Sequence, residues 1–391
     1  MSKFRRIEGL VLCLVVVTMA VAGCRREGPS ALPVLVAGAS HSLAVAADGT
    51  VWAWGDDERG QLGGVGPMDR STPGQVEGMA DVVAIAGGGL HTIALRRDGT
   101  VWAWGSNAFG QLGDGTTTDS TPVPVQVRGM ADMVAFAGGA YHTLGLRRDG
   151  TVWAWGLNRA GQLGDGTTTD RWTPVQVQGL ADVVAIAGGV EHTIALRRDG
   201  TVWAWGDNEE GQLGDGTTTN RLTPVQVRGM ADVVAIAGGW GHTIALRRDG
   251  TVWVWGTIWA WGTIDEGQLG DRTTTDRSPP VQVQGLADVV AIGGGFAHTI
   301  ALRRVGTVWA WGNNGYGQLG DGTTTDRSTP GEVEGLTDVV AIACGCWHTI
   351  ALRRDGTVWA WGWNKKGQLG DGTRTDRSTP VQVQGLPDMG P

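Results

Sequence analysis

The sequence predicts an all-β chain, a seven-bladed β-propeller of four-stranded antiparallel blades. A histidine followed by Thr or Ser recurs at His41, His91, His142, His192, His242, His298 and His348, at intervals of 50, 51, 50, 50, 56 and 50 residues. The motif VWAWG begins at Val51, Val101, Val152, Val202, Val308 and Val358, with a seventh, doubled copy at Val252. A third element, PVQV at Pro174–Val177, occurs seven times in recognisable form. A fixed period of this size marks a repeat architecture with one supersecondary unit per repeat.

The elements follow in order along the fourth repeat. VVAIAGG, Val183–Gly189, is short, apolar and rich in β-branched residues, the pattern of a buried strand. HTIALRR alternates, with His192, Ile194 and Leu196 on one side. Asp199-Gly200 signals a tight hairpin. TVWAWG is the third strand, Trp203 and Trp205 on one face and Val202 and Ala204 on the other. A polar stretch leads to the fourth strand, Pro224–Val227, and RGMAD turns back to the next VVAIAGG. Four strands in about 50 residues, repeated, give a propeller. A solenoid uses shorter coils and parallel pairing, which the DG hairpin opposes.

Composition agrees. The chain has 391 residues, with 66 Gly but only 14 Pro, and no compositional break marks a second domain. The glycines fall at fixed points between apolar runs, where turns belong.

The first residues differ. Lys3, Arg5 and Arg6 precede an apolar run from Leu10 to Ala22, too short to span a membrane comfortably and ending in small residues, as a secretory signal does. VAGC resembles the lipobox of bacterial lipoproteins, which implies lipid attachment at Cys24. Cleavage after Ala22 is the alternative. The expected organisation is a signal peptide over 1–23, a lipid-anchored tether over 24–33 and the propeller over 34–391. The ten residues from Cys24 to Val34 reach at most about 35 Å, which holds the folded part near a membrane. Removing Lys3, Arg5, Arg6 and Glu8 takes the formal charge from −8 to −10 (−8 − 2). An acidic chain does not attract phosphate backbones, so no nucleic-acid partner is expected.

The stretch GGVEHTIALRRDGTVWAWGDNEEGQLGDG resembles the regulator of chromosome condensation repeat family, over residues 34 to about 387. The resemblance implies a seven-bladed propeller, which the strand count gives independently. Ring closure is open at this point: the last PVQV strand either joins the first blade and locks the ring, or the seven units abut. Short turns between PVQV and VVAI favour the lock.

Sixteen tryptophans lie in the WAWG copies and read as packing between blades. The seven histidines read as structural groups bonding the backbone. The paired arginines, such as Arg197 and Arg198, fall on the DG-hairpin side with acidic turn residues and read as a self-paired rim. Cys344 and Cys346 replace residues that are small or variable in other repeats, against metal binding or a strained disulfide. No nucleophile elbow, P-loop or HExxH motif is present, so no enzyme activity, cofactor or metal is expected.

Differences between repeats concentrate at two places: the pair before each histidine, and the four residues after WG. Strand parity puts both on one face. Seven of the nine aromatics that lie outside the leader and the WAWG copies fall there: Phe109, Tyr141, Trp240, Phe296, Tyr316, Trp347 and Trp363. Exposed aromatics varied on a constant frame suggest a recognition surface. The candidate partner-binding residues are these seven with Leu90, Arg159, Glu191, Glu209, Glu210, Lys365 and Lys366. The doubled TVWVWGTIWAWGTI should bulge, placing Trp255 or Trp259 in a loop.

The expected function is that of an exported, membrane-anchored monomer in a bacterial cell envelope, lipid-anchored or secreted, that holds a protein or glycan partner. The family resemblance implies two forms of this. One is inhibition of an envelope enzyme, as in a secreted bacterial member that inhibits β-lactamase. The other is guanine nucleotide exchange on a small GTPase, as in eukaryotic members, which export disfavours.

Overall fold

A computed structural model describes residues 34–64, 68–257, 267–272, 276–387 and 389. The expected leader and tether, with Cys24, lie outside the described residues. Seven four-stranded antiparallel sheets follow one another, each built from four consecutive strands of one repeat. First strands of neighbouring blades touch, including those of blades 7 and 1, so the first strand of each blade lines the axis and the ring is closed.

In blade 4 the strands are Val183–Gly188, His192–Arg197, Val202–Gly206 and Arg221–Gln226. His192 pairs with Gly206 and Leu196 with Val202 around the hairpin. Gly200 takes φ +81°, and Asp199 Oδ1 accepts from the Thr201 N–H and hydroxyl at 3.0 and 2.6 Å. The fourth strand begins three residues before the expected Pro224. Arg221 pairs with Gly206 and Val225 with Ala204, so three residues bulge opposite Trp205. The bulge accommodates Pro224, which has no N–H for the ladder.

The doubled segment resolves in favour of its first copy. Val252–Gly256 is the strand, with Trp255 fully buried. Trp259 falls outside the described residues.

The second tryptophan of each copy among the described residues is fully buried. Trp205 packs with Ala137, Leu144 and Ala154 of blade 3, whereas Ala204 faces blade 5 beside Ala245 and Trp255. Large and small side chains thus interdigitate across each seam. The first tryptophan is half-buried on the outside, and Arg197 lies over the Trp203 ring, 5.9 Å from its centroid.

The histidines bond hydroxyls of the next blade rather than the backbone. His142 Nε2 lies 3.1 Å from Thr193 Oγ1. Thr193 donates its only proton to the Gln162 carbonyl at 2.8 Å, and that carbonyl also accepts from Trp205 Nε1 at 2.9 Å. The histidine must therefore be the donor, which fixes the Nε2–H tautomer. All seven are fully buried. Burial lowers the pKa of each to about 3, and that of His242 to about 4.

The closing strand favoured by the short turns does not form. The last strand, Arg377–Gln382, pairs with Val358–Gly362 of its own repeat. The GQLG loop of each repeat crosses to the next blade, and the ring closes through the same loop crossing, with its Gln carbonyl holding the next blade's tryptophan as at the other seams. The Gln368 carbonyl accepts from Trp54 Nε1 and Ser42 Oγ, each at 2.9 Å, and Gly372 N donates to the Ser71 carbonyl at 2.9 Å.

On the hairpin face Arg197 pairs with Asp182 at 3.7 Å and Asp199 at 3.6 Å, a self-paired rim as expected. Cys344 and Cys346 are fully buried thiols that are not bonded to each other. Cys344 stands where five other repeats have Gly. A Cβ on Gly293, where most repeats have Ala, would lie 3.4 Å from its sulfur, so the missing methyl makes room for it.

Candidate functional site

The two variable places meet in every blade. The first residue after WG donates its N–H to the carbonyl of the residue before the histidine: Asp207 to Glu191 at 2.9 Å, Leu157 to Tyr141 at 2.9 Å, Trp363 to Trp347 at 2.8 Å. Antiparallel pairing of the second and third strands imposes this, because His192 sits opposite Gly206. Gly206 is held at φ +100°, where a Cβ would lie 2.5 Å from the Glu191 carbonyl. A conserved backbone thus presents changing side chains at one end of the ring.

Around the axis the pre-histidine turns form a closed circle of backbone bonds. Ala39 donates to Gly89, Gly89 to Gly139, Ala140 to Val190, Val190 to Trp240, Trp240 to Gly295, Phe296 to Cys346 and Cys346 to Ala39, at 2.9–3.4 Å. Above it Ala39, Leu90, Ala140, Phe296, Ala297 and Cys346 are buried together, with Tyr141, Val190, Trp240 and Trp347 packed against them. The expectation of exposed aromatics needs correcting for this group. Leu90 is 5% exposed and Phe296 6%, because they stopper the axial mouth. Tyr316 alone of the seven aromatics is counted as exposed, at 41%.

The aromatics fall into two groups. Trp240, Phe296, Trp347, Tyr316 and Trp363 form an arc, with successive centroids 4.5, 4.3, 5.6 and 6.3 Å apart. Phe109 meets Tyr141 edge-on at 5.1 Å, with Arg159 over Phe109 at 5.5 Å. Between the groups lies a groove of about 440 Å³ lined by Arg159, Ala160, Glu191, Asp207, Glu209, Glu210 and Trp240, among others. Burial raises the pKa of Glu191, and Asp207 raises it further. Burial also raises Asp207 and Glu210, with neighbouring carboxylates adding to the effect.

The two lysines are engaged elsewhere. Lys365 pairs with Asp376 at 3.3 Å. Lys366 crosses to blade 1, 3.2 Å from Asp56, 3.5 Å from Asp69 and 3.8 Å from Glu58, and so belongs to the closing seam. Sequence reasoning flagged Asp207 among the four variable residues after WG but carried neither it nor Ala160 into the candidate partner-binding residues. Their signal was internal: the repeat positions that hold Asp56 and Lys366 at the closing seam hold Asp207 and Ala160 here. It also set aside Trp172, which is 53% exposed on the outer strand of blade 3. Among the described residues no group of three or more His, Cys, Asp or Glu is arranged to hold a metal ion. The chemistry the face offers is non-covalent recognition by aromatic edges, carboxylates and backbone groups.

The RCC1-like domain family matches residues 25–257, and the RCC1 repeat family matches 249–302, 305–352 and 355–390. The chain is similar to the ultraviolet-B receptor UVR8 of Arabidopsis thaliana, 35% identical over 146 residues, covering 36% of this chain and 33% of that protein. It is also similar to the human E3 ubiquitin-protein ligase HERC2, 33% identical over 134 residues, covering 34% of this chain and 3% of that protein. The chain thus spans a third or less of the length of these relatives. Among solved structures, human WBSCR16 matches with a TM-score of 0.75 and 25% identity, over 86% of this chain and 94% of that one. Prp20p of Saccharomyces cerevisiae matches with a TM-score of 0.76 and 24% identity, over 85% of each chain. The sequence matches and the closed ring of seven blades lead to one assignment: the chain belongs to the regulator of chromosome condensation (RCC1) repeat family.

Proposed function

We propose that this protein is an exported, lipid-anchored binding protein that holds another protein against the variable end of its propeller. The observation that carries this is the meeting of both variable places on one face of a ring that is otherwise nearly invariant. Packing demands an aromatic stopper at the axis, but not the outer aromatics Phe109, Tyr316 and Trp363 or the carboxylates of the groove. Relatives lend support by name: Prp20p is described with binding properties to Gsp1p and histones, and another yeast structure shows RCC1 (Prp20) bound to Kap60. A protein fits better than a glycan. Sugar stacking needs a bare ring face, and here the rings pack edge-on or tilted against one another. Inhibition of an envelope enzyme is one form this binding can take.

The test is crosslinking and pull-down from envelopes with the wild type and a Phe109→Ala/Tyr316→Ala/Trp363→Ala variant. The expected result is a captured protein that the variant loses while keeping its thermal midpoint within a few degrees. Equal capture by both forms overturns the binding face. For the anchor, a Cys24→Ala form should leave the membrane fraction, and its retention there would sink the lipid attachment.

A further inference from the structure

We propose that the groove between blades 3 and 5 receives a lysine or arginine side chain projecting from the bound protein. The inference rests on the binding-face reading and adds the chemistry of one contact.

It comes from comparing seams. At the closing seam the fourth residue after WG in blade 7 is Lys366, whose N–H donates to Gln368 Oε1 at 3.1 Å. Its ammonium reaches Asp56, the first residue after WG in blade 1, at 3.2 Å. Between blades 3 and 4 the same positions hold Ala160 and Asp207. The backbone is placed alike, since the Ala160 N–H donates to Gln162 Oε1 at 2.9 Å. The long cationic side chain is gone, and the groove of about 440 Å³ opens beside that alanine. Asp207 keeps only neutral donors there, Gln212 Nε2 at 2.7 Å and the Glu209 N–H at 3.4 Å.

The surroundings are acidic. Glu191, Glu209 and Glu210 line the same groove, and none of them, nor Asp207, is in an ion pair among the described residues. At the next seam Glu210 occupies the Lys366 position and meets the Asp276 carboxyl, whose charge and hydrogen bond help raise its pKa, so two acids meet where the closing seam pairs an acid with a lysine. Arg159 at the rim is the one cation in the lining, and Trp240 supplies an aromatic wall. A guanidinium or ammonium entering from outside restores the pairing that Lys366 provides at the closing seam. Its stem packs beside Trp240, and its charge relieves repulsion among the groove's carboxylates.

The probe is acetyl-arginine N-methylamide, compared with the neutral acetyl-citrulline N-methylamide, by saturation-transfer difference NMR on the full propeller. The arginine compound should bind and the citrulline compound should bind at least tenfold more weakly. Ala160→Lys should abolish arginine binding, with a thermal midpoint at or above that of the wild type. If that variant does not fold, Glu191→Gln/Asp207→Asn carries the same test. Equal binding of the two compounds, or undiminished arginine binding in a folded Ala160→Lys protein, overturns the proposal. The assay needs no partner, so its failure is distinct from unchanged capture by the Phe109, Tyr316 and Trp363 variant, which overturns the binding face itself.

Discussion

His348 Nε2 donates to Ser42 Oγ at 3.0 Å across 306 residues, and Ser42 passes its own proton to the Gln368 carbonyl at 2.9 Å. The other six seams place a threonine at this position. No strand is exchanged between the ends of the ring, so this relay is part of what joins them. Ser42→Ala leaves a buried imidazole N–H without an acceptor and should cost about 1–3 kcal/mol. Ser42→Thr restores the pattern of the other seams and should leave the midpoint unchanged or higher. Thermal unfolding of the two variants decides it: equal midpoints would remove the relay from the closure.

The histidine ring predicts acid sensitivity. Folding lowers each imidazole from 6.5 to about 3, or about 4 for His242. Between those values the unfolded chain binds protons that the folded chain does not. Stability is therefore full above pH 6.5 and lost as pH falls toward 3. Each histidine contributes a slope of up to about 1.4 kcal/mol per pH unit within that window. Denaturant midpoints should be flat from pH 8 to 7 and drop steeply from 6 to 4. A midpoint at pH 4.5 equal to that at 7.5 would show that the ring is hydrated and titrates normally.

Much of this was legible in the sequence because the repeats act as their own alignment. Period, strand order, the DG hairpin and interblade tryptophan packing are local or periodic properties, and all four appear in the fold. Ring closure was misjudged because the turn length between PVQV and VVAI says nothing about where the GQLG loop goes. The loop proved to be the crossing element, and Gln368 holds Trp54 through a carbonyl, a group no side-chain pattern reveals. The exposure of Leu90 and Phe296 was misjudged for a related reason. The seven pre-histidine turns converge on one axis, and convergence is a property of the closed ring rather than of any repeat.

The stopper and the outer aromatics should separate in experiment. Phe296 is 6% exposed and lies 4.5 Å from Trp240 and 4.3 Å from Trp347. Phe296→Ala should destabilise by about 3–5 kcal/mol, as deletion of a buried ring does. Tyr316 is 41% exposed, and Tyr316→Ala should cost under about 1 kcal/mol. If both substitutions lower the midpoint equally, the arc is one packed unit, and Tyr316 is no more a recognition residue than Phe296.

The closing seam carries an ion cluster, and its worth can be measured. Lys366 is about one-third exposed, whereas Asp56 has 8% of its side chain exposed and its carboxyl is pushed up by burial, partly offset by the lysine. Lys366→Ala uncovers that carboxylate and should destabilise by about 1–2 kcal/mol, a discounted figure because solvent reaches the ammonium. Asp56→Asn removes the charge that the lysine neutralises, so Lys366→Ala should cost less in that background. The difference between the two costs is the coupling energy, expected at about 0.5–1 kcal/mol and smaller at high salt. A coupling of zero would mean that the lysine stem, rather than its charge, fills the seam. Ala160→Lys would then occupy the groove between blades 3 and 4 without gaining stability from Asp207.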